Sequence, residues 1–340
     1  MKRQALEIVG GGVAGLSLGV GLRKAGIPVV LREASRYPRH RLCGEFVNGV
    51  SQQTLARLGI EDLFEDALQH DDMTWWRGSG QIASSRLAKP VAALSRWQMD
   101  LRMSSRFQEL GGELHCQARV PLRAVEGRVW AAGRKLARES EWLGLKAHFL
   151  GLETCSGLEM HLGEYGYVGL TPVEEGRVNV CGLFQKRSDL PGRGKEKLLS
   201  YLRASSLDDL VSRLEDAKMD EVSLTGVSGL SFGAQDQEED LVTVGDAERM
   251  IPPFTGNGMS MAFEAAECAL QPLISYSQGD ASWAEAHLAI RKLLQNRFRR
   301  RIALAKGLHP FLLQPQRQGM LAALAKPSLL PFTTLTRLLT

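Results

Sequence analysis

The apolar positions of this chain change period several times, and each change marks an element. Residues 5–9 form a short apolar stretch that predicts a strand, residues 16–25 have helical spacing, and residues 27–31 predict a second strand ending at Glu33. Helical spacing resumes over 51–58 and stops at Gly59. Residues 73–77 and 81–83 predict a hairpin closed by Gly78-Ser79-Gly80. Arg96 opens a helix that runs towards Leu110 and ends at Gly111-Gly112. Short strands are expected near 113–118, 122–125 and 128–131. From 143 to 227 the pattern is strand-like and glycine-punctuated, at 146–150, 159–162, 166–170 and 178–184, with a helical interlude over 195–218. A strand at 241–244, a helix at 260–270 and a long helix from 283 to 304 complete the pattern, before proline-bounded segments near 311, 320–324 and 329–339. This profile is an α/β chain: a Rossmann-like nucleotide-binding domain with a mainly antiparallel sheet inserted into it.

The first strand, turn and helix enclose Gly10-Gly11-Gly12-Val13-Ala14-Gly15. Gly10, Gly12 and Gly15 fit G-x-G-x-x-G in the strand–turn–helix setting that gives it meaning. Gly10 permits the turn, Gly12 lets a diphosphate approach the backbone, and Gly15 lets helix and strand pack closely. Amides of the first helical turn, Val13 and Ala14 included, offer donors and a positive dipole end to phosphates. Glu33 stands 18 residues beyond Gly15, near the offset expected for an acid on a ribose hydroxyl. The motif leaves open which dinucleotide is bound, and a glycine-rich turn without a ligand is the alternative.

Composition changes this picture in two places. The five cysteines are scattered, without a C-x-x-C pair or metal-ligand spacing, which points to a reducing, cytoplasmic setting and no metal site. Lys2 and Arg3 before an apolar stretch imitate a signal peptide, but glycines break that stretch, so no targeting segment is expected. No apolar run is long enough to span a membrane. The charge is lopsided: no acid follows Glu285, while ten lysines and arginines do. Residues 1–285 therefore sum to −6 (32 bases against 38 acids) and residues 286–340 to +10. Basic, apolar, acid-free helices fit peripheral contact with an anionic membrane; a helical cap with solvated bases fits equally. Nucleic acid is not expected, because the bases lack a recognised binding fold.

A second strand–loop–helix passage holds Gly245-Asp246-Ala247, Pro252-Pro253 and Gly256-Asn257-Gly258-Met259. Together with Gly10–Gly15, Glu33 and Arg96-x-x-x-Asp100, it resembles the FAD-dependent oxidoreductases of the aromatic-hydroxylase and geranylgeranyl-reductase-like superfamily. The resemblance spans most of the first 285 residues, in the family's order. It implies a glutathione-reductase-type FAD-binding domain made of 1–70, 96–139 and 224–284, a substrate domain of 71–95 and 140–223, and a helical C-terminal segment, 285–340. It also implies extended FAD, with the diphosphate at Gly12–Gly15, the adenosine ribose at Glu33 with Arg96 nearby, and the ribityl chain at Asp246. Arg41, Pro253, Gly256, Gly258 and Met259 complete the implied cofactor contacts, the helix from Gly258 facing the isoalloxazine. Cys43-Gly44-Glu45 resembles the loop beside the flavin in geranylgeranyl-reductase-like members and flavin halogenases, which makes Cys43 a candidate active-site thiol; a small buried thiol is the alternative. A Trp-x-Trp-x-Ile-Pro segment of halogenases is missing. Where many hydroxylases have Ala-Asp-Gly followed by Ser, this chain has Ala131-Ala132-Gly133 and Leu136. That departure puts direct use of NADPH or NADH in doubt.

On the substrate side, Lys146 and His148 project to one strand face, as Ala147 and Phe149 do to the other. His148 is a candidate to bind or deprotonate a phenol, and a solvent-exposed strand face explains the same pattern. Tyr165 and Tyr167 alternate similarly, and Trp75 and Trp76 point oppositely. The expected activity is hydroxylation of a hydrophobic, phenolic or polyketide-like small molecule through a flavin C4a-hydroperoxide. A FAD-dependent reductase of prenyl-type double bonds and a non-catalytic flavin-binding protein are the alternatives.

Overall fold

The computed structural model describes residues 3–319 apart from 136, 138, 236–239, 254, 255 and 315. Leu136 and the expected segments at 320–324 and 329–339 lie outside the described residues.

The chain opens as its pattern predicts, with β1 (Leu6–Val9), α1 (Val13–Lys24) and β2 (Val29–Glu33). After β3 (Phe46–Val47), α2 (Gln52–Leu58) starts on the Ser51 side chain, which accepts the Thr54 amide, and ends at Gly59 in the left-handed region. Glycine is the residue that takes this φ of +72° without strain. β4 (Leu68–Arg77) and β5 (Gly80–Ala93) form the hairpin, longer than predicted. α3 (Arg96–Glu109) is capped by Ser95, and β6 (Glu113–Cys116) and β7 (Arg128–Trp130) follow. Then come β8 (Trp142–Leu150), β9 (Leu158–Gly163), β10 (Gly166–Val173) and β11 (Arg177–Gln185). α4 (Gly194–Ala204) and α5 (Asp208–Asp216) precede β12 (Lys218–Ser228), β13 (Gly233–Ala234), β14 (Val242–Thr243) and β15 (Arg249–Met250). α6 (Gly258–Gln278) and α7 (Trp283–Leu313) close the described chain.

Two sheets result. One has five parallel strands in the order β14-β7-β1-β2-β6. The other has eight strands in the order β12-β8-β11-β10-β9-β4-β5-β3, antiparallel except where β4 meets β9. One core runs through the parallel sheet, α1, α3, α6, α7 and the inner face of β4, β9 and β10. A second core lies between the larger sheet and α4–α5. Among the described residues no helix is long and apolar enough to cross a membrane.

Three expectations need correction. Residues 122–125 form no strand; Pro121 just before them has no amide to give a ladder, and β1 already pairs with β7. The interlude at 195–218 is two helices, broken where Ser206 takes a φ of +57°. Tyr165 and Tyr167 do not share a face: Tyr165 sits in the β9–β10 turn, 54 % exposed, while Tyr167 is buried on β10.

Candidate functional site

β1 hands the chain to α1 through Gly10-Gly11-Gly12. Gly10 has φ +106°, and a Cβ there would lie 2.4 Å from the Ala131 carbonyl oxygen, just past β7. A Cβ on Gly15 would lie 1.9 Å from the Gly10 carbonyl oxygen, so helix and turn meet backbone to backbone. Around Gly12, by contrast, a Cβ would meet nothing within 4 Å. The backbone there faces open space. The first-turn amides of Val13, Ala14 and Gly15 have no intrahelical acceptor, and the side chains of Val13 and Ala14 are in the core.

Glu33, buried at the end of β2, accepts the Gly11 amide at 2.7 Å and the Ser35 amide at 2.9 Å. Burial pushes its carboxyl up, but Arg41 and these hydrogen bonds outweigh it, and the net shift is downward. Arg41 stands 3.5 Å from Glu33 and 3.2 Å from Asp100. Arg96 grips Asp100 with Nε at 2.7 Å and Nη2 at 2.8 Å, a bidentate i,i+4 pair on α3. The expected place of Arg96 near the ribose acid is therefore taken by Arg41, with Arg96 one link further along the same charge chain.

The second glycine passage joins this turn. Gly245 has φ +67°, and a Cβ on it would lie 2.7 Å from the Ala14 Cβ, so Asp246 comes to the start of α1. Burial raises the Asp246 carboxyl, while Arg134, 3.9 Å away, and Arg96 pull the other way. Nε of Arg134 and Nη2 of Arg41 are buried without a hydrogen bond. Two guanidiniums with donors to spare, one beside Glu33 and one beside Asp246, together with the open Gly12 backbone suit a bound diphosphate, so the residues present fit a dinucleotide such as FAD. At the far end, the Gly256 amide donates to the Pro253 carbonyl at 3.1 Å. Phe46 packs so closely on Gly256 that a Cβ would lie 2.3 Å from its ring, whereas Gly258 faces open space. The Met259 side chain lies in the core, leaving only its backbone to the site. Ser260 donates to the Asn48 carbonyl, tying α6 to the segment around β3.

Between the two sheets lies the Cys43-Gly44-Glu45 loop. Glu45 is fully buried at a φ of +61°. Its carboxylate meets His148 Nε2 at 2.5 Å, Lys146 Nζ at 3.2 Å and the Arg96 amide at 3.0 Å. Burial pushes this carboxyl up; His148 and Lys146 reverse the shift and leave it below the ordinary range. Lys146 and His148 do share a face of β8, but that face is interior, 0 % and 1 % exposed, and not solvent-facing. Leu145, Ala147 and Phe149 point the other way, into the α4–α5 core. His40 stacks on Trp97, ring centroids 4.6 Å apart, and its Nδ1 lies 3.3 Å from Lys146. Burial and the Lys146 ammonium hold its pKa down to about 4, so it is neutral at pH 7. His148 Nδ1 is buried and makes no hydrogen bond. Ligand atoms of His40, His148 and Asp220 come within 4.8 Å of one another, beside the Lys146 ammonium that lies against His40. The Cys43 carbonyl accepts from Asn179 at 3.0 Å, and burial pushes the Cys43 thiol up, so it stays protonated.

Sequence reasoning missed the roles of Glu45, Asp100 and Asn179, whereas Arg134 was already legible there as a base that could meet phosphates. The usable signal for Glu45 was the pair of basic residues two apart on a strand, which need an acid once they are interior.

No family model matches the chain. A curated relative, digeranylgeranylglycerophospholipid reductase of Methanosarcina acetivorans, is 27 % identical over 205 residues, covering 54 % of this chain. The match spans 46 % of that relative, about half its length. PqsL of Pseudomonas aeruginosa, solved with 2-aminobenzoylacetate, has a TM-score of 0.73 at 14 % identity, covering 93 % of this chain and 98 % of PqsL. The chain shares the fold of PqsL over nearly its whole length. The flavin-dependent brominase Bmp2 matches with a TM-score of 0.75 at 18 % identity over 99 % of this chain and 93 % of Bmp2. A geranylgeranyl bacteriochlorophyll reductase-like protein of Thermoplasma acidophilum gives 0.73 at 18 %, over 95 % and 91 %. The resemblance carried by the two glycine motifs and Arg96–Asp100 is borne out at the level of fold.

Proposed function

We propose that this chain is a FAD-dependent oxidoreductase and, within that class, a monooxygenase hydroxylating a hydrophobic, phenolic or polyketide-like small molecule. The observation that carries this reading is the contact of Gly245 with Ala14, which joins Asp246 to the open Gly12 turn in one composite site. In the glutathione-reductase-type arrangement, the amides of Val13–Gly15 with Arg41 and Arg134 would hold the diphosphate and Glu33 the ribose. Asp246 would take the ribityl chain, and the α6 N-terminus at Gly258 would face the ring. Bound FAD supplies electron transfer and oxygen activation.

The chain's own residues hold, orient and keep dry. Glu45, fixed by Lys146, His148 and the Arg96 amide, pins the 43–45 loop between the sheets and excludes water. With Glu45 ionised, the His148 Nε2 facing it donates, and Nδ1, which makes no hydrogen bond, is left for a ligand. A phenolic hydroxyl reaching Nδ1 would be oriented there and could pass on its proton, Glu45 stabilising the imidazolium that forms. Cys43 lines the same loop, its thiol pushed up by burial.

The curated reductase relative favours a second reading, saturation of prenyl-type double bonds. Turnover measured with phenolic and prenyl substrates, in air and anaerobically, separates the two. Hydroxylation should consume one oxygen per product and stop without air; anaerobic turnover of a prenyl substrate would replace the monooxygenase reading with the reductase one.

A further inference from the structure

α7 carries two kinds of base. Arg301 turns inward, 3.3 Å from Glu264, and Arg297 reaches Glu267 at 3.5 Å, stapling α7 to α6. Arg291, Lys292, Arg299, Arg300 and Lys306 are exposed and form no ion pair with a described residue. The buried stripe of α7 is Ala286, Ile290, Leu294, Phe298, Ile302 and Ala305. At about 100° per residue, Leu288, Lys292 and Arg299 fall within roughly 40° of one another on the outer side, a ridge about 17 Å long, whereas the Lys306 ammonium lies over Gly233 of β13. Leu288 is 69 % exposed on it.

Glu285, exposed in the first turn, is the one acid of α7; beyond it the helix carries only bases, which repel one another. An anionic surface relieves that repulsion. Lipid is favoured over nucleic acid because the ridge presents an exposed leucine and no exposed aromatic ring on which bases could stack.

We propose that this outer face of α7 docks the protein on an anionic membrane surface. Headgroup phosphates meet Lys292 and Arg299, and Leu288 enters the interface. Each such cation near the surface strengthens partition about fivefold, and one leucine adds a weak anchor, so the contact is reversible and salt-sensitive. It stands on α7 alone and is independent of the redox chemistry.

Co-sedimentation of the full chain with phosphatidylcholine vesicles, with and without phosphatidylglycerol, tests it. The protein should pellet only with phosphatidylglycerol and be released by raised salt. A K292E/R299E variant should partition more than about tenfold less, with unchanged circular dichroism; if it misfolds, K292Q/R299Q carries the same comparison with a smaller loss. The proposal is overturned if the wild type stays in the supernatant, if the folded variant pellets equally, or if the wild type binds duplex nucleic acid at the same salt but not vesicles.

Discussion

Gly12 and Gly15 stand three positions apart and do opposite jobs. Gly12 borders open space, so a side chain there costs the apo fold little and obstructs whatever approaches the backbone. Gly15 has a carbonyl oxygen 1.9 Å from where a Cβ would go. G12V should fold with near-native stability and fail to retain FAD, read by circular dichroism and visible absorbance. G15A should lose more than about 2 kcal/mol in a urea titration, since overpacking against backbone cannot be relieved by a rotamer change. Equal stability of the two variants would contradict this division of roles. Buried Glu159 is a second test of single-residue chemistry. Burial pushes its carboxyl up, yet hydrogen bonds from His161 at 2.8 Å and Arg213 at 3.0 Å prevail and bring it to about 2. A carboxyl depressed in the folded state contributes stability above its unfolded pKa near 4.5, lost as pH falls towards 2. The loss is on the order of 3 kcal/mol, and E159Q should flatten that part of the stability–pH curve; an unchanged slope would show that Glu159 is not its source. The glycine roles were legible in the sequence because the turn is local. Glu45 was not, because its partner His148 is 103 positions away and only strand pairing brings them together.

Among elements, β8 and the 40–45 loop form one unit. The alternation of β8 was readable; which face is interior was not, because that depends on the loop laid over it, down to Leu42, which would be 2.2 Å from a Cβ on Gly144. Lys146 and Glu45 are both fully buried, so removing one leaves the other's charge short of a partner. K146M should cost about 3 kcal/mol, while E45Q/K146M should cost at least about 1 kcal/mol less than the sum of the single changes. Denaturant unfolding of the four proteins gives this coupling directly; additive losses would mean that the buried pair is not a unit. The fault at 195–218 has a similar origin. Helical spacing was visible, but the break at Ser206 reflects α4 and α5 each seating on the larger sheet.

For the whole molecule, the fold was legible because two glycine motifs and an i,i+4 Arg–Asp pair each leave a local mark in the sequence. Their convergence is a tertiary fact: Asp246 reaches the start of α1 only because β14 adds beside β7 at the edge of the parallel sheet. Side chains such as Asn179 and Lys146 were less legible, because their partners, the Cys43 carbonyl and Glu45, lie more than a hundred positions away. The direct test of the composite site is titration of the apo protein with FAD, followed by visible absorbance and flavin fluorescence, for wild type, G12V, D246A and H148Q. One FAD per wild-type chain is expected, with retention lost in G12V, clearly weakened in D246A and kept in H148Q. A wild type that takes up no FAD, or a folded G12V and D246A pair that bind it as the wild type does, would contradict the account.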